Sequence, residues 1–144
     1  MKSTKRINFY LLLICFSINI IFVSPSYSLS SQEDLFKNAL NLSSRGEFDL
    51  ALKQWDQYLE LFPDDAAALS NRGNVKLVIG DPEGAIIDQD NAIELDPEEV
   101  DPYINRGIAK ESLGLWLQAK SDYLYVISKA FCAKYFLNSI VVAP

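Results

Sequence analysis

Carboxylates are the side chains that this chain carries in numbers and spacings able to do chemistry. Asp88 stands two residues from Asp90, Asp64 is followed by Asp65, and Asp96 by Glu98-Glu99. Two carboxyl groups can divide acid and base roles when their surroundings push their pKa values apart. The acid-rich turns precede helix starts, where negative charge complements the helix dipole. Capping and solubility account for them without catalysis. The chain has no histidine, so the commonest general acid–base and metal-ligating side chain is missing. Its two cysteines are Cys15 and Cys132, and the first lies in a segment expected to be removed. One remaining cysteine makes no internal disulfide. No Gly-rich phosphate loop, metal-ligand spacing or nucleophile–base pair occurs. The turn Asp81-x-x-Gly84 lacks the alternating acids of a calcium loop. The expectation is a protein that is not an enzyme and holds no cofactor or metal.

Charge narrows the partners. The net charge is −6, and without residues 1–28, which carry Lys2, Lys5 and Arg6 but no acid, it falls to about −9. Such a surface repels nucleic-acid backbones and anionic headgroups, so no nucleic-acid partner is expected. A length of 144 residues with 49% hydrophobic content suits one domain with a folded core.

Part of that apolar content lies at the start. Three basic residues precede Phe9–Val23, fifteen residues without a charge, and Ser24-Pro25-Ser26-Tyr27-Ser28 comes after them. Basic start, short apolar run and small-x-small site form the layout of a secretory signal, with Ser26 and Ser28 at −3 and −1 and cleavage before Leu29. A spanning helix needs about 20 apolar residues, more than this run provides. Residues 1–28 read as a signal peptide, and as a membrane anchor if left uncleaved. The destination is then exported: periplasm, thylakoid lumen or secreted. Contact with a membrane would run only through this segment.

The remaining chain is periodic. Asn71-Arg72-Gly73 returns as Asn105-Arg106-Gly107, 34 residues later, and Lys76/Lys110, Gly80/Gly114, Ala85/Ala119, Asp88/Asp122 and Ile93/Ile127 keep the same register. One period earlier, Gly46, Ala51, Asp56, Glu60, Leu61 and Pro63 match Gly80, Ala85, Asp90, Glu94, Leu95 and Pro97. Three units therefore span 32–65, 66–99 and 100–133. Helical spacing of apolar residues predicts a helix up to Gly46, another from about Phe48 to Leu61, and the same pair in each later unit. Gly80 ends one helix, Asp81 caps the next and Pro82 takes its first position. Asp101-Pro102 predicts a second such cap. Arg72 and Arg106 are expected to face solvent or pair with the acidic turns.

These units resemble tetratricopeptide repeats. Numbered from 32, 66 and 100, position 4 is Leu35, Leu69 and Tyr103, and position 8 is Ala39, Gly73 and Gly107. Position 20 is alanine three times, at Ala51, Ala85 and Ala119. Position 24, usually aromatic, is Trp55 and Tyr123 but Gln89 in unit two; the proline of position 32 is Pro63 and Pro97 but Phe131 in unit three. The resemblance implies an all-α array of three helix-turn-helix units, a superhelix stabilised by stacking, over residues 29–131.

It also implies a concave surface lined by the first helices. Phe36, Leu40, Ser70, Asn74, Leu77, Ile104, Ile108 and Glu111 would line it, with Asn71 and Asn105 at its edge. The family's chaperone-binding members clamp a peptide carboxylate with Lys and Asn in one unit and Lys and Arg in another. Here Phe36 and Leu40 stand at the first pair and Asp101 and Asn105 at the second, so an apolar extended or helical segment suits the groove better. Several of these side chains serve equally well as packing between units. Glu98-Glu99-Val100-Asp101 spells the chaperone tail itself, but internally and without a free carboxyl terminus. The implied function is a protein or peptide interaction scaffold resembling small exported repeat proteins that assist membrane-complex assembly. A tethered assembly chaperone and a fragment of a larger repeat protein are the alternatives. After Ser128 the pattern stops, and residues 132–144 form an apolar tail that reads as a self-cap, a truncated repeat or an oligomer contact.

Overall fold

The computed structural model describes the backbone of residues 25–141 and the side chains of residues 31–132. The expected signal core Phe9–Val23, Cys15 and the side chains of the tail beyond Cys132 lie outside the described residues. Contacts divide the chain into residues 1–31 and 32–144, and the three repeats lie in the second unit.

Six helices are described: α1 Pro25–Ser44, α2 Phe48–Leu61, α3 Ala66–Val78, α4 Pro82–Leu95, α5 Asp101–Ser112 and α6 Trp116–Val141. Glycine closes the first helix of every pair. Gly46, Gly80 and Gly114 take φ of +77°, +89° and +74°, a left-handed conformation that costs a side-chain-bearing residue energy. In each case the next amide reaches back to the ending helix: Glu47 N–H to Leu42 C=O at 3.0 Å, Asp81 to Lys76 at 2.9 Å, Leu115 to Lys110 at 2.9 Å. Carbonyls that the ending helix would orphan are thus satisfied.

Aspartates cap two helix starts, and a third start departs from expectation. Asp65 accepts from Ala68 N–H at 3.0 Å and Asp81 from Gly84 N–H at 2.9 Å. Asp101 is not a cap. Val100 holds that place in helical conformation, and its carbonyl accepts from Tyr103 N–H at 3.1 Å and Ile104 N–H at 3.3 Å. The helix therefore starts one residue early, and Asp101 serves the first turn through its charge.

Packing runs in sequence order: α3 on α2, α4 on α3, α5 on α4 and α6 on α5, with α3 also touching α5. Small residues at position 8 make the hairpins close. A Cβ on Gly73 would stand 2.7 Å from Gln89 Nε2, and one on Gly107 2.4 Å from the Tyr123 ring. Unit one has alanine there and fills its hairpin with rings. Phe36 meets Trp55 edge-on at 5.0 Å and Tyr58 at 5.5 Å, a favoured arrangement for aromatic quadrupoles. Trp55 is fully buried yet satisfied, its indole N–H donating to Ser43 Oγ at 3.1 Å.

The third hairpin ends differently. Where α2 and α4 each have 14 residues, α6 has 26 and runs without a break from Trp116 to Val141. No described helix is long and apolar enough to cross a membrane.

Candidate peptide-binding surface

The first helices of units two and three lie side by side: Asn105 Nδ2 on α5 approaches Ser70 Oγ on α3 at 3.4 Å. Three residues at position 9 mark the face. Leu40 and Ile108 are each 44% exposed, and Asn74 stands at the same position in unit two. Asn74 is oriented from below. Gln89 Nε2, buried where the other units carry an aromatic ring, donates to Ser70 C=O at 3.0 Å and to Asn74 Oδ1 at 3.3 Å. With its oxygen engaged, Asn74 keeps its Nδ2 hydrogens for another acceptor, and no partner for them occurs among the described residues. A peptide carbonyl is such an acceptor.

The other expected groove residues divide. Phe36 is committed to the aromatic cluster of its own hairpin. Ser70 is buried. Asn71 donates to Ala67 C=O of its own helix at 2.8 Å. Glu111 accepts from Tyr123 O–H at 3.0 Å; burial first, and then this carboxylate, push the Tyr123 phenol above its ordinary range. Leu77 and Ile104 are half-buried. The tail-like sequence Glu98–Asp101 is built into the start of α5, with Glu98 N–H bonded to Asp96 Oδ1 at 3.1 Å.

The arginines of the repeated motif depart from expectation. They neither face solvent nor meet acidic turns. Arg72 grips buried Asp88 in mid-helix through Nε at 2.9 Å and Nη2 at 2.7 Å, and reaches Asp56 of the preceding unit through Nη1 at 2.9 Å. Lys76 adds a 2.9 Å contact to Asp88. Unit three repeats the arrangement with Arg106 between Asp122 and Asp90, and Lys110 on Asp122 at 2.8 Å. Unit one has a neutral version, Asn38 Nδ2 donating to Gln54 Oε1 at 2.9 Å. So Asp88 and Asp122 are not solubilising acids; each is buried and neutralised. The recurrence of Lys76/Lys110 and Asp88/Asp122 in one register is the sequence signal for this arrangement. Hydrogen bonds to Asp88 are the main cause that raises the Arg72 pKa further, keeping it charged. Burial works against the Asp122 carboxylate, but Arg106 and Lys110 outweigh it and hold its pKa below the usual value.

Among the described residues no group of His, Cys, Asp and Glu could hold a metal ion. Two depressions lie away from the position 9 face, one at the turn Phe62–Ala67 and one between Glu60, Leu69 and Arg72.

The described helix pairs superpose on solved helical arrays. The Arabidopsis OM64 TPR domain superposes with TM-score 0.67 at 20% identity, over 69% of this chain and 83% of that one. The fold is a tetratricopeptide-repeat array. The second TPR of Spaghetti (RPAP3), bound to HSP90 peptide SRMEEVD, gives TM-score 0.64 at 24% identity, over 67% of this chain and 89% of that domain. By sequence, the chain is 34% identical over 91 residues to the TPR repeat-containing thioredoxin TDX of Arabidopsis thaliana, 63% of this chain but 24% of that protein. A FAM10 family protein of Arabidopsis thaliana is 33% identical over 84 residues, 58% of this chain and 19% of its own length. The chain thus spans a quarter or less of these two relatives. No protein-family model matches it.

Proposed function

We propose that the array is a non-enzymatic interaction module holding an apolar extended or helical segment of a partner protein along its first helices. The carrying observation is the position 9 row: Leu40 and Ile108, both 44% exposed, share their repeat position with Asn74, whose amide hydrogens are available. Apolar side chains would seat the segment and Asn74 would hold its backbone. Peptide binding by the Spaghetti repeat domain supports the general mode. The acidic tail bound there does not suit this surface, where Phe36, Leu40, Asp101 and Asn105 offer no cation.

The N-terminal segment adds an address. The basic start, Phe9–Val23 and Ser26-x-Ser28 support export to a periplasm, thylakoid lumen or extracellular space, with assistance to membrane-complex assembly as the role. A mature chain beginning at Leu29 on N-terminal sequencing is the expected result, and retention of residues 1–28 would favour the tethered alternative.

The surface is tested by crosslinked recovery from the exported fraction with wild type, Leu40→Asp and Ile108→Asp. Both sites are exposed enough to accept a charge without unfolding, unlike Phe36 beneath its ring contacts. The two variants should lose the same recovered protein while keeping wild-type helicity. Unchanged recovery with both would sink the groove reading.

A further inference from the structure

The two ends of the stack differ in a way that the repeat register makes legible. At each internal junction a first helix docks on the second helix before it, α3 on α2 and α5 on α4. Its docking side carries small apolar residues at positions 3 and 10: Ala68 and Val75, then Pro102 and Ala109, all buried. On α1 these positions are Asp34 and Asn41, both exposed. Over its described side chains that helix is polar at both docking positions.

Among the described residues the opposite end shows no such finish. At positions 21, 25 and 28 the covered second helices read Leu52, Asp56, Leu59 and Ile86, Asp90, Ile93. The acid of each set receives the arginine of the docking helix, Arg72 and Arg106 respectively. On α6 the same positions are Lys120, Leu124 and Ile127, and the polarity is exchanged. Leu124 is 54% exposed, Ile127 62% and Leu117, one turn from Lys120, 85%. Lys120 makes no ion pair among the described residues, and the one acid of α6, Asp122, is spent on Arg106 and Lys110.

We propose that this face of α6 receives an amphipathic helix from another polypeptide, seated as α3 and α5 seat on α2 and α4. The exchange of polarity sets the occupant's chemistry. It carries an apolar residue where α3 and α5 carry arginine, because an arginine against Leu124 would be buried without its acid. It carries a carboxylate opposite Lys120. The face continues the internal stacking surface, and it is independent of the position 9 row, so either reading can fail alone.

The probes are two labelled peptides of residues 64–80 of this chain, the native α3 sequence and its Arg72→Leu form. Binding to the full 144-residue protein is read by anisotropy and by the fluorescence of Trp116, which is 64% exposed at the head of α6. The Arg72→Leu peptide should bind at least fivefold tighter than the native one. Leu124→Asp, which restores the acid of the internal junctions, should reverse that preference. Leu117→Glu is a second variant at a more exposed site and should weaken both peptides. Circular dichroism confirms that each variant is folded. Equal binding of the two peptides, or a preference that Leu124→Asp leaves unchanged, overturns the proposal. Two further outcomes overturn it in favour of another occupant. A dimer in sedimentation that Leu124→Asp dissociates assigns the face to a second copy. Peptide binding that appears only after deletion of residues 133–144 assigns it to the chain's own tail.

Discussion

Replacing Arg72 by methionine should cost more than any surface ion pair would suggest. Exposed pairs contribute about 0–1 kcal/mol, because water screens them and ordering two long side chains costs entropy. Asp88 is in another situation: its side chain is 1% exposed, and Arg72 supplies two of its three charged contacts at 2.9 and 2.7 Å. Lys76 alone would remain. Breaking a buried pair from one side costs roughly 3–5 kcal/mol, since the other charge stays desolvated. Arg72 keeps 20% exposure, which lets some water compensate, so about 3 kcal/mol is expected. The matching double variant, Arg72→Asn with Asp88→Gln, installs the neutral pair that unit one uses at Asn38 and Gln54. It should be less destabilised than Asp88→Gln alone, which leaves Lys76 without its acid and Arg72 with Asp56 only. Urea unfolding monitored by fluorescence of Trp55, fully buried in unit one, reads the whole stack if it unfolds cooperatively. A loss under about 1 kcal/mol for Arg72→Met, within the surface-pair range, would refute the reasoning. So would a double variant that costs the sum of its singles.

The three other predictions separate distinct physical causes. Gly80→Ala should lose about 1 kcal/mol from backbone strain alone, because φ is +89° and nothing beyond its adjoining residues lies within 4 Å of the new Cβ. Gly107→Ala should lose about 1–3 kcal/mol by collision, its Cβ falling 2.4 Å from the Tyr123 ring, and Tyr123→Leu should relieve part of that loss. Thermal or urea midpoints of these variants test both statements. For acid stability, the depressed Asp122 pKa means that its contribution is full above the ordinary carboxylate pKa and is lost as pH falls through the lower folded value. Wild type should therefore weaken below about pH 4, and Asp122→Asn, less stable at neutral pH, should show a shallower decline over that window.

Much of this architecture is legible in the residue order. A fixed period with glycine and alanine at set positions allows few packings, since a Cβ at Gly73 or Gly107 collides with the partner helix. The turns are readable for the same local reason, as Gly46, Gly80 and Gly114 sit where only left-handed backbone closes the helix. The start of α5 falls one residue before its expected place because Asp-Pro fits two adjacent positions, and only hydrogen bonding to Val100 C=O chooses between them. The candidate groove is legible as a set of positions but not as a set of roles. Spacing alone cannot tell whether a face points at a neighbour or at solvent, and so Phe36 and Leu40, four residues apart, end in a ring cluster and in water respectively.

By itself the sequence determined the period, the helix pairs and their punctuation, because those depend on short-range sterics and backbone hydrogen bonding. The tertiary structure alone decided the fate of the charges. Arg72 and Asp88 are far apart in sequence, and whether an acid is a solvated surface group or a buried ion depends on which helix covers it. The same long-range fact separates Asp56 and Asp90, met by arginines of the next unit, from Leu124, which no described helix covers.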